Sequence, residues 1–268
     1  MTDLKKQVHD FWDEASCGEI LLLAAPDKRG YLAQMHSRYS LEPYIESFAH
    51  FEGARNLDVL EIGVGLGAEH QKFAQAGAKL VGMDLTERAV AHTRNRFALF
   101  GLESRLLVGD AEFLPFADLS FDWVYSWGVL HHTPDTERAV AEVNRVLRPG
   151  GVARVMVYHK YSIVGYMLWF RYALLTFRPS RSLCEIYACH LESPGTKAYS
   201  VREAQMLFAG FSDVEVSTVL THGDLLESEA GQRHQGWLLF AAKRIWPRAL
   251  IRRLLPSHGL FMLIVARK

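Results

Sequence analysis

Three glycines at alternate positions, Gly63, Gly65 and Gly67, follow the apolar run Leu57-Asp58-Val59-Leu60-Glu61-Ile62 and precede Ala68-Glu69-His70-Gln71-Lys72-Phe73-Ala74. Residues of these types at this spacing make a strand, a tight turn and a helix N-terminus. Glycine there lets the backbone take a positive φ and approach a ligand, while the free N–H groups of the first helical turn face it. The expected guest is nucleotide-like. The next strand, Lys79 to Asp84, ends in a carboxylate placed to accept from two ribose hydroxyls. Because Gly63-x-Gly65-x-x-Ala68 also fits the dinucleotide fingerprint, the loop and Asp84 leave more than one cofactor open.

Later segments decide between them. A strand over Ser104 to Val108 leads to Gly109-Asp110-Ala111-Glu112-Phe113-Leu114-Pro115-Phe116. Ser120-Phe121-Asp122-Trp123-Val124-Tyr125-Ser126-Trp127-Gly128-Val129-Leu130-His131-His132-Thr133-Pro134-Asp135 follows, then Glu142 to Gly151 and another apolar strand. With Leu60-Glu61-x-Gly63-x-Gly65-x-Gly67, these ordered motifs over about residues 57 to 158 resemble the class I methyltransferases that use S-adenosylmethionine (SAM). The likeness is to the small-molecule branch that includes the ubiquinone and menaquinone C-methyltransferases. It implies a Rossmann-like, doubly wound, mostly parallel seven-stranded sheet with an antiparallel last strand, an N-terminal helical lid and helical insertions. It does not support a dehydrogenase.

At matching positions the resemblance implies a set of cofactor contacts. Gly63, Gly65 and Gly67 allow close backbone approach, and Glu61 fixes the loop or meets the methionine ammonium. Asp84 binds the ribose and Leu85 packs on the adenine. Asp110 accepts from the adenine amino group, and the Ala111 N–H meets a ring nitrogen. Ser126 and Trp127 pass under the methionine, with Tyr39, beside Arg38, as a contact from the segment before the first strand. On the acceptor side His131, with His132 beside it, His159 and His36 are the candidates for taking a proton, since a neutral imidazole can do so at pH 7.

The 268 residues suffice for one α/β domain with additions, and 49% hydrophobic with 22% charged is ordinary for a globular chain. Thirty basic and thirty acidic residues cancel, which counts against a nucleic-acid partner. No apolar stretch has the length of a signal peptide or a membrane span. Cys17, Cys184 and Cys189 form no CxxC pair, which suits reduced thiols and a cytoplasmic location, and no metal is expected.

Three regions follow in order: a helical lid over 1–52, a SAM-binding core over 53–158, and acceptor-side helices, insertion and last strands over 159–268. Leu4, Val8, Phe11 and Trp12 share one helical face. The segment to Tyr39 reads as a poorly periodic loop turning at Pro26 to Gly30, and Pro43 opens a short helix. Helices over Ala68–Ala76 and Thr86–Phe100 end at Gly77 and Gly101, and Thr133-Pro134 is expected to start one running to Leu147. Strands and helices alternate, so a parallel sheet with its ligand at the strands' carboxyl ends is predicted.

Beyond the core, Ile163 to Phe177 reads as one apolar, aromatic helix, and Ser200 and Glu203 as a capping box. An insertion from Thr221 to Ser257 carries Trp237-Leu238-Leu239-Phe240 and then Arg244, Arg248 and Arg252 at helical spacing. That stripe is a solvated face or, over 244–255, a peripheral membrane contact. The aromatic density suggests an apolar pocket for a small-molecule acceptor, methylated on O, C, S or N; packing of the helices on each other or in a homodimer would explain it too. An RNA or protein methyltransferase is an alternative, as is a non-catalytic SAM-binding module.

Overall fold

In the computed structural model, which describes residues 2–227, 244 and 246–268, the alternating pattern resolves into a seven-stranded sheet flanked by helices. The strands are β1 (Asp58–Ile62), β2 (Lys79–Asp84), β3 (Arg105–Val108), β4 (Phe121–Trp127), β5 (Leu147–Tyr158), β6 (Asp213–Val219) and β7 (Phe261–Arg267). Their order across the sheet is β3-β2-β1-β4-β5-β7-β6. All pairings on the β3 side of β5 are parallel, and β7 runs antiparallel to both β5 and β6. Val59, Leu60, Ile62, Val124 and Val155 are buried between helical layers, each removed side chain contributing about 2 kcal/mol. β6 forms one edge, its exposed and half-buried residues alternating.

The chain reverses direction across the sheet between β1 and β4, and at such a switch point the loops splay apart to leave a crevice at the carboxyl ends. α5 (Ala68–Ala76) and α6 (Glu87–Phe100) start at Gly67 and Thr86 and stop at left-handed Gly77 and Gly101, as expected. α7 (Thr136–Val146) differs. Its N-cap is Asp135, which accepts from the Arg138 N–H, because Leu130–His132 already forms a separate 3₁₀ turn.

Among the described residues four α-helices and a 3₁₀ turn, Phe51–Ala54, precede β1: α1 (Asp3–Glu14), α2 (Glu19–Leu22), α3 (Lys28–Leu41) and α4 (Tyr44–Ala49). The predicted loop before Tyr39 is therefore helical. Asp27 caps α3 by accepting from the Gly30 N–H at 2.7 Å, and a Cβ on Gly30 would fall 1.9 Å from the Ala25 carbonyl oxygen. Polar Gln34 is buried with Tyr31 on the inner face of α3, so no apolar stripe betrays the helix.

On the acceptor side α8 (Ile163–Trp169) gives way to a π-helical turn, Phe170–Leu174, so the single helix expected to Phe177 is shorter. α9 (Leu183–His190) and α10 (Val201–Leu207) both open with capping boxes, the second at Ser200 and Glu203. α11 (Arg248–Leu254) begins after Pro247, whose backbone is not helical, so Arg244 does not continue the face of Arg248 and Arg252. The Trp237 to Phe240 cluster lies outside the described residues. Among those residues no helix is long and apolar enough to cross a membrane.

Candidate active site

The glycine loop is shaped by what surrounds it. Gly63 has φ +85 and donates its N–H to the Met83 carbonyl at 2.7 Å, and a Cβ there would meet a Val129 methyl at 2.1 Å. A Cβ on Gly65 would touch nothing within 4 Å, so this is the open approach. Its N–H donates to Asp84 Oδ2 at 3.2 Å, while Asp84 Oδ1 accepts from the N–H and hydroxyl of Thr86 at 3.0 Å each. Burial raises the Asp84 pKa, and those donated bonds oppose the rise.

Beneath the loop lies a chain of neutral hydrogen bonds. The Ser104 hydroxyl donates to the Leu80 carbonyl, so it accepts from His70 Nε2, and His70 Nδ1 stands 2.8 Å from Glu61 Oε2. Burial pushes Glu61 well above the carboxylate range and lowers His70 to about 3, so a protonated Glu61 donates to a neutral imidazole. Glu61 is thereby a prop for the loop.

Asp110 closes the far end. Its Oδ1 accepts from the Glu112 N–H, and its Oδ2 lies 2.6 Å from Lys5 Nζ, which also reaches Glu112 Oε2 at 2.5 Å. Burial works against the Lys5 charge, but the two carboxylates outweigh it and raise its pKa. This triad fixes α1 over the site. Arg88 pairs with Glu19 at 2.5 Å and Arg38 with Glu69 at 2.6 Å, fastening α2 and α3 to the core.

A single cavity of about 1200 Å³ runs from this loop to the acceptor-side helices. A pocket for one drug-sized ligand measures roughly 300–1,000 Å³, so there is room for a cofactor and a partner molecule. Gly63, Gly65, Asp84, Leu85, Asp110, Ala111 and Trp127 line it, as do Arg38, Glu42 and Glu69. Gly67 instead caps α5, a Cβ there meeting Thr93 Oγ1 at 2.9 Å. Glu61, Ser126 and Tyr39 stand behind the wall.

The buried polar atoms Tyr39 Oη, Tyr44 Oη, Ser126 Oγ and Glu42 Oε2 have no hydrogen-bond partner, and Arg38 stands 3.4 Å from Glu42 and 2.6 Å from Glu69. Burial raises Glu42 to about 7 despite Arg38. Of these residues only Glu42 lines the cavity, where it, Glu69 and Arg38 suit the charged groups of an amino acid end, and Asp84 and Asp110 suit a nucleoside at the other end. The residues present thus fit SAM.

The proposed histidines are not brought together. His131 is fully buried, both ring nitrogens unpartnered, its ring 4.1 Å from that of Tyr158. His159 is buried at the end of β5 with Nδ1 3.2 Å from the Gly259 carbonyl, and His36 is exposed on α3; none of the three lines the cavity. His132 does. Its Nδ1 lies 2.8 Å from Ser193 Oγ and 3.2 Å from Thr196 Oγ1, and its Nε2 lies 3.4 Å from Glu192 Oε2. Tyr158 donates to the same Glu192 oxygen at 2.6 Å. Ligand atoms of His131, His132 and Glu192 fall within 4.8 Å of one another, a grouping that could hold a metal ion. Sequence spacing cannot reveal Glu192, which the turn after α9 delivers from 60 positions downstream of His132.

The family model described as methyltransferase domain matches residues 60–155. A probable S-adenosylmethionine-dependent methyltransferase of Mycolicibacterium smegmatis is 31% identical over 186 residues, which are 69% of this chain and 62% of that protein. A demethylmenaquinone methyltransferase of Tropheryma whipplei is 35% identical over 121 residues, covering 44% and 49%. The chain thus spans about half to under two thirds of the length of these curated relatives. A SAM-dependent methyltransferase from Mesorhizobium loti superposes with TM-score 0.57 at 18% identity, covering 84% of this chain and 97% of that one, a likeness of fold. Residues 60–155 thus match a methyltransferase domain, and the chain shares the Rossmann-like fold of a solved methyltransferase.

Proposed function

We propose that the whole chain is a SAM-dependent methyltransferase acting on a small, largely apolar acceptor, with His132 receiving the proton the acceptor loses. The observation that carries this is the one cavity, which joins the carboxylate-lined glycine loop to a wall of Ile163, Met167, Leu168 and Trp246 and includes His132 and Glu192. Bound SAM supplies an electrophilic methyl group with a neutral thioether as leaving group, so alignment and exclusion of water do most of the work. In this reading residues 1–52 are the lid, 53–158 hold the cofactor and 159–268 shape the acceptor side, with the protein in the cytoplasm.

His132 suits the proton's destination. With Nδ1–H donated to Ser193, Nε2 keeps its lone pair, and once protonated it faces the Glu192 carboxylate, which stabilises the imidazolium. Such a base serves a hydroxyl, amine, thiol or acidic C–H acceptor. The demethylmenaquinone relative makes quinol-like compounds suitable first substrates alongside fatty acids, phenols and thiols. The test is S-adenosylhomocysteine release across that panel, repeated with His132→Gln. Turnover on an apolar acceptor, lost in the variant, supports the reading; SAM binding without turnover on any acceptor would leave a SAM-binding module.

One observation favours a second reading of the same corner. His131 buries two unpartnered nitrogens beside His132 and Glu192, and a divalent ion there would polarise the acceptor atom instead. Loss of turnover on treatment with a chelator, restored by the metal, selects it.

A further inference from the structure

The acceptor wall is built by two segments, 161–182 and 244–258, whose charge departs from the rest of the chain. The chain balances thirty basic and thirty acidic residues, yet these segments hold Arg171, Arg178, Arg181, Arg244, Arg248, Arg252 and Arg253 and no Asp or Glu. Arg181 donates to the Tyr172 carbonyl, Arg248 to those of Leu225 and Leu226, and Arg252 pairs with Glu227. Arg171, Arg178 and Arg253 are exposed, with no carboxylate partner among the described residues.

Large apolar side chains stand beside them. Phe170, Leu174 and Leu175 are exposed on the first segment and Leu250 and Leu254 on the second; Phe177 is 93% exposed. The ring of Tyr166 lies 6.5 Å from that of His258, and Ile163 packs with Ile251, so the two segments adjoin. Phe170, Arg171, Leu175 and Leu255 also line the cavity, which makes the two segments the rim of its mouth. Phe177 sits at φ +57, a conformation that costs a non-glycine residue energy and here holds a bare phenyl ring outward.

The rim calls for a partner that is anionic at its surface and apolar within. A second copy offering the same face would set arginines against arginines, so self-association is disfavoured. We propose that the mouth of the acceptor cavity seats on a bilayer containing anionic lipid. Phe177, Leu174 and Leu254 enter the boundary between headgroups and acyl chains, and Arg178 and Arg253 lie among the phosphates. An apolar acceptor then passes from the lipid into the cavity without crossing water.

The test is co-sedimentation of SAM-free protein with vesicles of phosphatidylcholine alone or mixed with phosphatidylglycerol. Wild type should bind the mixed vesicles, lose binding as salt rises, and bind phosphatidylcholine weakly. R178E/R253E should lower partitioning at least tenfold. F177S should lower it at fixed charge. Circular dichroism and thermal unfolding check that each variant is folded. No binding by wild type, equal binding to both vesicle types, or undiminished binding by R178E/R253E overturns the proposal. So does a solution dimer, seen by light scattering, that protects Phe177. Because the vesicle assay and the folding checks involve neither SAM nor turnover, these outcomes stand apart from failure of the methyl-transfer reading.

Discussion

The two ends of the cavity are made by different means. At the glycine loop the contacts come from backbone groups and carboxylates in tight turns: the Gly65 N–H, Asp84 bonded twice to Thr86, and Asp110 bonded to the Glu112 N–H. At the acceptor end they come from side chains of helices that touch the core through small apolar clusters, such as Ile163, Leu225 and Ile251. A turn of fixed geometry tolerates few residue types, whereas a helical wall tolerates any apolar residue of suitable volume. The lesson is that the glycine-loop end is held rigidly here while the helical end can drift.

The sharpest way to break that comparison is at the corner where the ends meet. His132→Gln and Glu192→Gln should lower turnover, about 10²- to 10⁴-fold for the histidine, and leave SAM affinity within about twofold. If both fall together, the corner belongs to the cofactor end. Asp84→Ala should weaken SAM binding by about 100-fold, since it removes a charged acceptor worth roughly 1.5–3 kcal/mol per bond, which titration calorimetry will register. Gly63→Ala should destabilise the fold by about 2 kcal/mol or more in thermal unfolding, from the Val129 contact and the positive φ. Adding Val129→Ala should recover the steric part alone.

A smaller effect concerns pH. Burial lowers His70 to about 3 and raises the Glu61 beside it, so the folded pair keeps one proton, on Glu61, and the unfolded pair carries a second only below about 4.5. Stability should therefore fall as pH drops from about 4.5 to 3, by up to about 1.4 kcal/mol per unit, and His70→Asn should flatten the slope. Smallest is Met167→Ala at the acceptor wall. It should change preference among acceptors by roughly tenfold while SAM binding stays put.

The same contrast explains what could be read in the chain beforehand. The Gly63-x-Gly65-x-Gly67 turn, the strand-ending Asp84 and the Gly77 and Gly101 stops declare themselves because backbone geometry demands those residues. α3 was hidden because its inner face mixes Gly30, Tyr31 and Gln34. Glu192 and Lys5 were hidden for another reason: each acts across a long sequence gap, Lys5 reaching Asp110 over 105 positions, and no local spacing encodes such a meeting. His131 was a more natural choice than His132 by position after β4. Only the 3₁₀ turn at Leu130–His132 decides which ring is buried and which reaches the cavity.

The edge strand β6 has a consequence for how copies of this protein meet. Asp213, Glu215 and Ser217 are its exposed residues, and Arg267 of β7 answers the first two at 3.5 and 3.9 Å. Two such edges zipped side by side, about 4.8 Å apart, would crowd carboxylates against carboxylates along the seam. Acidic side chains therefore guard the open rung of the sheet against runaway strand pairing, and replacing Asp213 and Glu215 with valine would be expected to invite aggregation.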